Sequence, residues 1–158
     1  MTHEEFARRI VEMQASLYRV SCAILPQLCD REDAVQSCIE KAWCKQATLK
    51  DESRLQAWVT RILVNECYAI IRSRKRETPV ETLPDVPAPP GSDPNLYRFF
   101  TDLPDKLRLP MVLFYLEGYE IQEIASMLRI PSGTVKSRLA RGRDAMRRSQ
   151  VFEEVQDL

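Results

Sequence analysis

The sequence contains one histidine, four glycines and no apolar run near the roughly 20 residues that a membrane-spanning helix needs. The lone histidine, His3, lies near the N-terminus and offers no recognisable histidine-centred triad, and the glycines nowhere form a phosphate-cradling loop. Five cysteines, Cys22, Cys29, Cys38, Cys44 and Cys67, form no CxxC pair, and their odd number argues against a secreted disulfide framework. Together these absences leave no enzyme, cofactor, metal or small-molecule substrate to propose. The opening residues Met-Thr-His-Glu-Glu-Phe lack the basic-then-apolar layout of a signal peptide, so the expected location is the cytoplasm.

Net charge is also absent, with 23 basic and 23 acidic residues, but the balance is uneven along the chain. Residues 1–76 carry 13 basic and 10 acidic groups, residues 77–95 carry 0 and 4, and residues 96–158 carry 10 and 9. The middle stretch, ETPVETLPDVPAPPGSDPN, holds six of the ten prolines. Proline removes backbone donors and disfavours helix in the residue before it, so this stretch reads as a semi-rigid linker between two domains.

No alternating strand pattern occurs, and both domains are expected to be all-α. In the first, helices are expected at about 2–23, 31–47 and 53–75. Phe6, Ile10, Met13, Leu17 and Val20 face inward from the first helix, and Ala34, Val35, Cys38, Ile39, Ala42 and Trp43 from the second. Leu55, Trp58, Val59, Ile62, Leu63, Ile70 and Ile71 face inward from the third. Asp30 is the expected N-cap of the second helix, with Asp33 at the positive end of its dipole. In the second domain the expected helices are 96–103, 105–116, 120–128 and 133–148.

The last two helices, joined by a three-residue break, form a helix-turn-helix pattern, with Tyr119 in its core. On the final helix Val135, Leu139, Gly142 and Met146 centre on one side, and Lys136, Ser137, Ala140 and Arg141 almost opposite. Small residues at Ser137, Ala140 and Gly142 allow close approach to a groove floor. Lys136 and Arg141 reach base edges or phosphates, and Arg138, Arg143, Arg147 and Arg148 flank them as phosphate contacts. A basic face alone is also what a solvated helix shows; the preceding helix and turn favour DNA.

From Leu17 to Arg148 the chain resembles the extracytoplasmic-function sigma factors of the sigma-70 family, which retain only sigma domains 2 and 4. LPDKLRLPMVLFYLEGYEIQEIASMLRIPSGTVKSRLARGRDAMRR resembles domain 4, DREDAVQSCIEKAW resembles region 2.2, and LQAWVTRILVNECYAIIRSRKR resembles regions 2.3 and 2.4. The resemblance implies sigma domain 2 at 1–76, a linker at 77–95 and sigma domain 4 at 96–158. Core RNA polymerase would be bound through its β′ clamp helices, by Asp33, Gln36, Glu40 and Lys41, and through its β flap.

Promoter DNA would be opened and read at −10 by Asn65 and the loop from Thr48 to Ser53, with Arg61, Arg72, Arg74, Lys75 and Arg76 on the backbone. The −35 set is Thr134, Lys136, Ser137, Arg138, Ala140, Arg141 and Arg143. The acidic linker would pass near the RNA exit path. An anti-sigma protein, soluble or membrane-linked, is the expected inhibitor.

The chain departs from the family pattern at Ser37, where an acid usually follows the glutamine, and at Ala69, often Asp or Asn. Glu66 adds a negative charge beside Asn65. Arg129 stands where glycine is frequent, at a cost of roughly 1–2 kcal/mol if its φ is positive. Two other readings compete: a stand-alone helix-turn-helix regulator that does not engage polymerase, and a thiol sensor acting through the cysteines of the first domain.

Overall fold

The computed structural model describes residues 1–77 and 100–156, with side chains described through Lys75 and from Phe100 to Ser149. Glu77, the first residue of the expected linker, is the last of the third helix; the rest of the linker, the expected helix residues 96–99 and the side chain of Arg76 lie outside the described residues. The chain divides into two compact units, Met1–Gly91 and Ser92–Leu158. No strand occurs among the described residues.

Three helices pack against one another in the first unit: α1 (His3–Ile24), α2 (Leu28–Lys45) and α3 (Leu55–Glu77). Thr2 starts α1 with a capping box: its side chain accepts from the Glu5 N–H at 3.1 Å, and the Glu5 carboxylate accepts from the Thr2 N–H at 3.1 Å. The core is built from Phe6, Ile10, Met13, Leu17 and Val20 of α1, Ala34, Cys38 and Ala42 of α2, and Leu55, Val59, Leu63, Val64 and Cys67 of α3. The small α2 residues let that helix sit close to its two neighbours.

Helix α2 begins three residues earlier than expected, with Gln27 at its N-cap, so Asp30 is not the cap. Asp30 lies one turn inside the helix, buried, where it accepts from Arg74. Arg31 is buried too, and its Nε donates to the Leu25 carbonyl at 2.6 Å, fixing the α1–α2 turn. Trp43, expected inside, is 45% exposed, with its ring against Phe6 and His3 at the edge of the bundle. Its position near the end of α2 leaves too little bundle beyond it to cover an indole.

The second unit contains α4 (Asp105–Met111), which continues as a π-helical turn at Val112–Leu116, then α5 (Ile121–Leu128) and α6 (Ser132–Gln156). The expected single helix 105–116 therefore changes pitch halfway. Pro110 lies inside α4 and lacks the N–H that would bond one turn back. The wider turn closes with Glu117 N–H donating to Val112 C=O at 3.1 Å.

Arg129 caps α5 in the left-handed region, at φ 56° and ψ 45°, so the sequence accepts the strain that glycine would avoid. In return the turn is short: the Ile130 N–H bonds back to Ala125, and Pro131 C=O receives the first N–H groups of α6. Tyr119 is buried in this core with Ile124, Met127, Val135 and Leu139.

Candidate promoter and polymerase interface

Helix α6 presents two unlike faces. Val135, Leu139 and Gly142 are buried, whereas Lys136, Ala140 and Arg141 are exposed and Thr134, Ser137 and Arg138 half-buried. Arg141 donates to Ser137 Oγ at 3.0 Å one turn back, which holds the guanidinium along the exposed face. Arg143 is exposed but turned aside, donating to the Tyr115 hydroxyl at 3.3 Å. Arg143, two turns on from Lys136, keeps the same helical phase to within about 20°, with its guanidinium directed toward Tyr115.

Gly142 is buried on the packed side with Val135 and Leu139, as helical phase put it, and so does not help the helix approach a groove floor. An added Cβ would lie 2.6 Å from Met111 Sδ, so its smallness serves the α4–α6 contact. Sequence reasoning missed the groove beside that contact, about 510 Å³, with Met111, Tyr115, Leu116 and Met146 in its lining and Arg143 and Arg147 at hand. Helical spacing had put Met146 simply on the apolar side of the last helix.

The basic face of α3 is equally selective. At 3.6 residues per turn, Arg61, Tyr68, Ala69 and Arg72 lie within about 60° of Asn65, whereas Arg74 lies about 180° away. Arg61 and Arg72 are exposed and Asn65 half-buried. Arg74 points back to α2, where its Nε and Nη2 donate to the two Asp30 oxygens at 3.1 and 2.6 Å. The expected DNA contact at Arg74 is thus, in the structure, an ion pair between helices. Lys75 is exposed on the flank.

The loop before α3 folds as two 3₁₀ turns, Gln46–Thr48 and Glu52–Arg54. Ser53 donates through its hydroxyl at 2.6 Å and its backbone N–H at 3.1 Å to Asp51. These two bonds, the hydroxyl's first, hold the Asp51 carboxyl below its usual range.

On α2, Asp33, Gln36, Glu40 and Lys41 are all exposed, but they do not form one cluster. Gln36 and Glu40 edge an open groove of about 730 Å³ between α1 and α2, floored by Val35, Ile39 and Tyr18. Val35 and Ile39, expected in the core, are only half-buried there. Lys41 turns the other way and pairs with Glu66 of α3. Tyr18 was missed because it falls off the inward stripe of α1; the apolar surplus of α2 was its only sequence signal.

The thiols separate into two groups. Cys22, Cys38 and Cys67 are buried, and Cys29 and Cys44 are exposed. Burial pushes the Cys38 thiol up to about 12, and the Cys67 thiol is pushed up for the same reason. The described residues contain no cluster of metal-binding side chains and no helix long and apolar enough to cross a membrane.

A helical protein with a helix-turn-helix in one unit and a basic amide-bearing helix in the other belongs architecturally with DNA-binding transcription proteins. Comparison with known proteins narrows this class. Residues 10–77 match the family model "Sigma-70 region 2", and residues 95–146 match "Sigma-70, region 4". The chain is 27% identical to the RNA polymerase sigma-E factor of Streptomyces coelicolor, over 96% of this chain and 89% of that protein. It is 32% identical to the ECF RNA polymerase sigma factor SigM of Mycobacterium tuberculosis, over 75% of this chain and 63% of that protein.

Among solved structures, the sigma factor RpoE from Bartonella quintana, in complex with the anti-sigma factor NepR, superposes with a TM-score of 0.79. The identity is 27%, covering 92% of this chain and 96% of that one. CnrH, in complex with the cytosolic domain of CnrY, shares the fold, with a TM-score of 0.66 at 18% identity over 97% of this chain and 90% of its own. The chain belongs to the sigma-70 family and is an extracytoplasmic-function sigma factor. It is a promoter-specificity subunit of RNA polymerase, and its role in initiation is not catalytic.

Proposed function

We propose that the two basic faces divide promoter recognition between them: the exposed side of α6 reads the −35 element and the Asn65 side of α3 reads the opened −10 element. The observation that carries this reading is the segregation on each helix, where the polar and cationic side chains stand opposite a fully packed core face. Lys136, Ser137, Ala140 and Arg141 enter the major groove, with Thr134 and Arg138 at its edge. Arg143 serves the groove beside Tyr115 rather than the DNA.

In domain 2, Asn65 offers a donor and an acceptor to an unpaired base, while Arg61, Arg72 and Lys75 neutralise phosphates. Arg76 belongs to the same set by sequence position. Arg74 is excluded because Asp30 occupies it. Domains at 1–76 and 96–158 with a linker at 77–95 fit this division of labour.

The α1–α2 groove, apolar on its floor and edged by Gln36 and Glu40, suits the polymerase clamp helices, with Asp33 beside it. The groove of the second unit, near Tyr115 and Met146, suits the β flap. These same surfaces are the ones an anti-sigma protein would cover in a cytoplasmic complex, free or held at a membrane; the similar RpoE is seen in complex with the anti-sigma factor NepR. The test is run-off transcription of genomic DNA fragments by core RNA polymerase with and without the protein. Discrete new transcripts that disappear with Lys136→Ala/Arg141→Ala and with Asn65→Ala support the assignment. Transcripts that survive all three substitutions overturn it.

A further inference from the structure

The turn between α5 and α6 holds a cation in a backbone conformation that side chains resist. Arg129 is the only non-glycine at positive φ among the described residues, whereas the turn before α5 meets the same need with Gly118 at φ 76°. Glycine at 129 would close the turn without pressing a Cβ against the following carbonyl. Strain kept where a simpler residue would remove it points to a use for the side chain. A cation also suits the carbonyl end of a helix, but the dipole gains less than the left-handed backbone costs.

The Arg129 side chain is exposed, and among the described residues it makes no ion pair or hydrogen bond. In this it differs from Arg108 and Arg147 of the same unit, which pair with Asp105 and Asp144. Gln122, Ser126 and Arg129 follow at spacings of four and three along the exposed side of α5, opposite the buried Ile124 and Met127. Glu123 is engaged at the far end of the helix, where its carboxylate accepts from the Glu120 N–H at 3.1 Å. The ridge thus carries no acid and ends in a cation.

In a helix-turn-helix the first helix crosses the DNA backbone, and the second enters the major groove by its N-terminal residues. The turn joins those two contacts, and Arg129 stands three residues before Ser132, the first of α6. We propose that Arg129 binds a backbone phosphate at the rim of the −35 major groove, and that the strained turn is kept to hold this contact. The inference rests on the assignment of α6 to the −35 element. Lys136 and Arg141 work from within the groove; Arg129 fixes the register of the two helices on the duplex and carries no sequence information.

The test uses the full chain with core RNA polymerase on promoter fragments recovered from its own genomic DNA by run-off transcription, and reads promoter binding against salt. Arg129→Gly is expected to lower the salt slope by about one and to weaken matched and base-substituted −35 elements by the same factor. Arg129→Lys, which keeps the charge, keeps the slope. Thermal unfolding of the free chain separates a lost contact from a damaged fold. Glycine relieves the left-handed strain while loosening the unfolded chain, so Arg129→Gly should not lower Tm.

A parental slope in Arg129→Gly overturns the inference, as does a fall that Arg129→Lys shares or that comes with a lower Tm. A changed preference among −35 sequences would overturn it too, since a phosphate contact reads none. If Lys136→Ala/Arg141→Ala abolishes −35-dependent binding while Arg129→Gly keeps the parental slope, only this inference fails. If the double variant also binds as the parent does, the assignment of α6 fails with it.

Discussion

Arg74 grips Asp30 with two donors, at 3.1 and 2.6 Å, and so ties the end of α3 to the start of α2 across 44 residues of sequence. Asp30 is almost fully buried, whereas Arg74 keeps two-fifths of its side chain in water. Attraction in such a half-exposed pair is modest, but removing the arginine strands a buried carboxylate. Arg74→Ala is therefore expected to cost about 1–3 kcal/mol in denaturant unfolding of domain 2. The salt slope of promoter binding should not change. A slope lowered by about one, at unchanged stability, would return Arg74 to the DNA contacts.

Lys41 and Glu66 make a second link between α2 and α3, about three turns along α2 from the Asp30 pair. Lys41 is half-exposed, so the pair contributes at most about 1 kcal/mol to stability. Its larger consequence is electrostatic, because Glu66 adjoins Asn65. Lys41→Ala frees that carboxylate beside the DNA and should weaken promoter opening, while Lys41→Ala/Glu66→Gln restores it. Loss of affinity for core polymerase that Glu66→Gln does not repair would assign Lys41 to the clamp helices instead.

Buried thiols make domain 2 sensitive to alkali. Cys38 is raised from the ordinary value of about 9.0 to about 12, chiefly by desolvation, and Cys67 is shifted in the same direction. Below pH 9 both folded and unfolded chains keep these protons. Above it the unfolded chain releases them while the folded chain holds them, so stability falls as pH rises toward the folded values. The expected decline is about 1.4 kcal/mol per pH unit for Cys38, and Cys38→Ala should flatten the curve by that amount. A parent curve no steeper than that of the variant would count against the shift. In the native protein Cys29 and Cys44 should react with a thiol reagent before Cys22, Cys38 and Cys67, which leaves a thiol sensor only the two exposed sites.

Periodicity made the two helical units legible because each helix buries one stripe: Phe6 to Val20, then Leu55, Val59 and Leu63, and Val135 and Leu139 are buried where spacing put them, while Trp58, Ile62, Ile70 and Ile71 are half-buried. It failed where a helix serves two purposes. Val35 and Ile39 fit the inward stripe of α2 but floor an open groove, and Trp43 fits it but runs off the end of the bundle. Charge was legible as composition and illegible as direction. Arg61, Arg72 and Arg74 look equivalent in sequence, and only the helical phase of Arg74, combined with a buried Asp30 from another helix, removes it from the DNA side. Asp30 itself matched a capping residue by type and position; the chain entered α2 a turn earlier and used it for pairing.

Gly142 separates two explanations of one small residue. In an exposed helix, Gly→Ala gains up to about 1 kcal/mol in propensity. Here the new methyl would meet Met111 Sδ at 2.6 Å and Cγ at 2.7 Å, on a side chain 1% exposed and hemmed in by the α4–α6 contact. Overpacking should win, and Gly142→Ala is expected to destabilise domain 4 by about 1–3 kcal/mol, roughly 4–8 °C in Tm per kcal/mol for a unit of this size. Met111→Ala alone opens a cavity and costs about 2–5 kcal/mol. In the double variant the added methyl occupies part of that cavity, so the combined loss should fall short of the sum by about 0.5–3 kcal/mol. If instead Gly142 is small for the sake of DNA, Gly142→Ala would leave Tm at or above the parental value and weaken −35 binding. The interaction with Met111→Ala would then vanish.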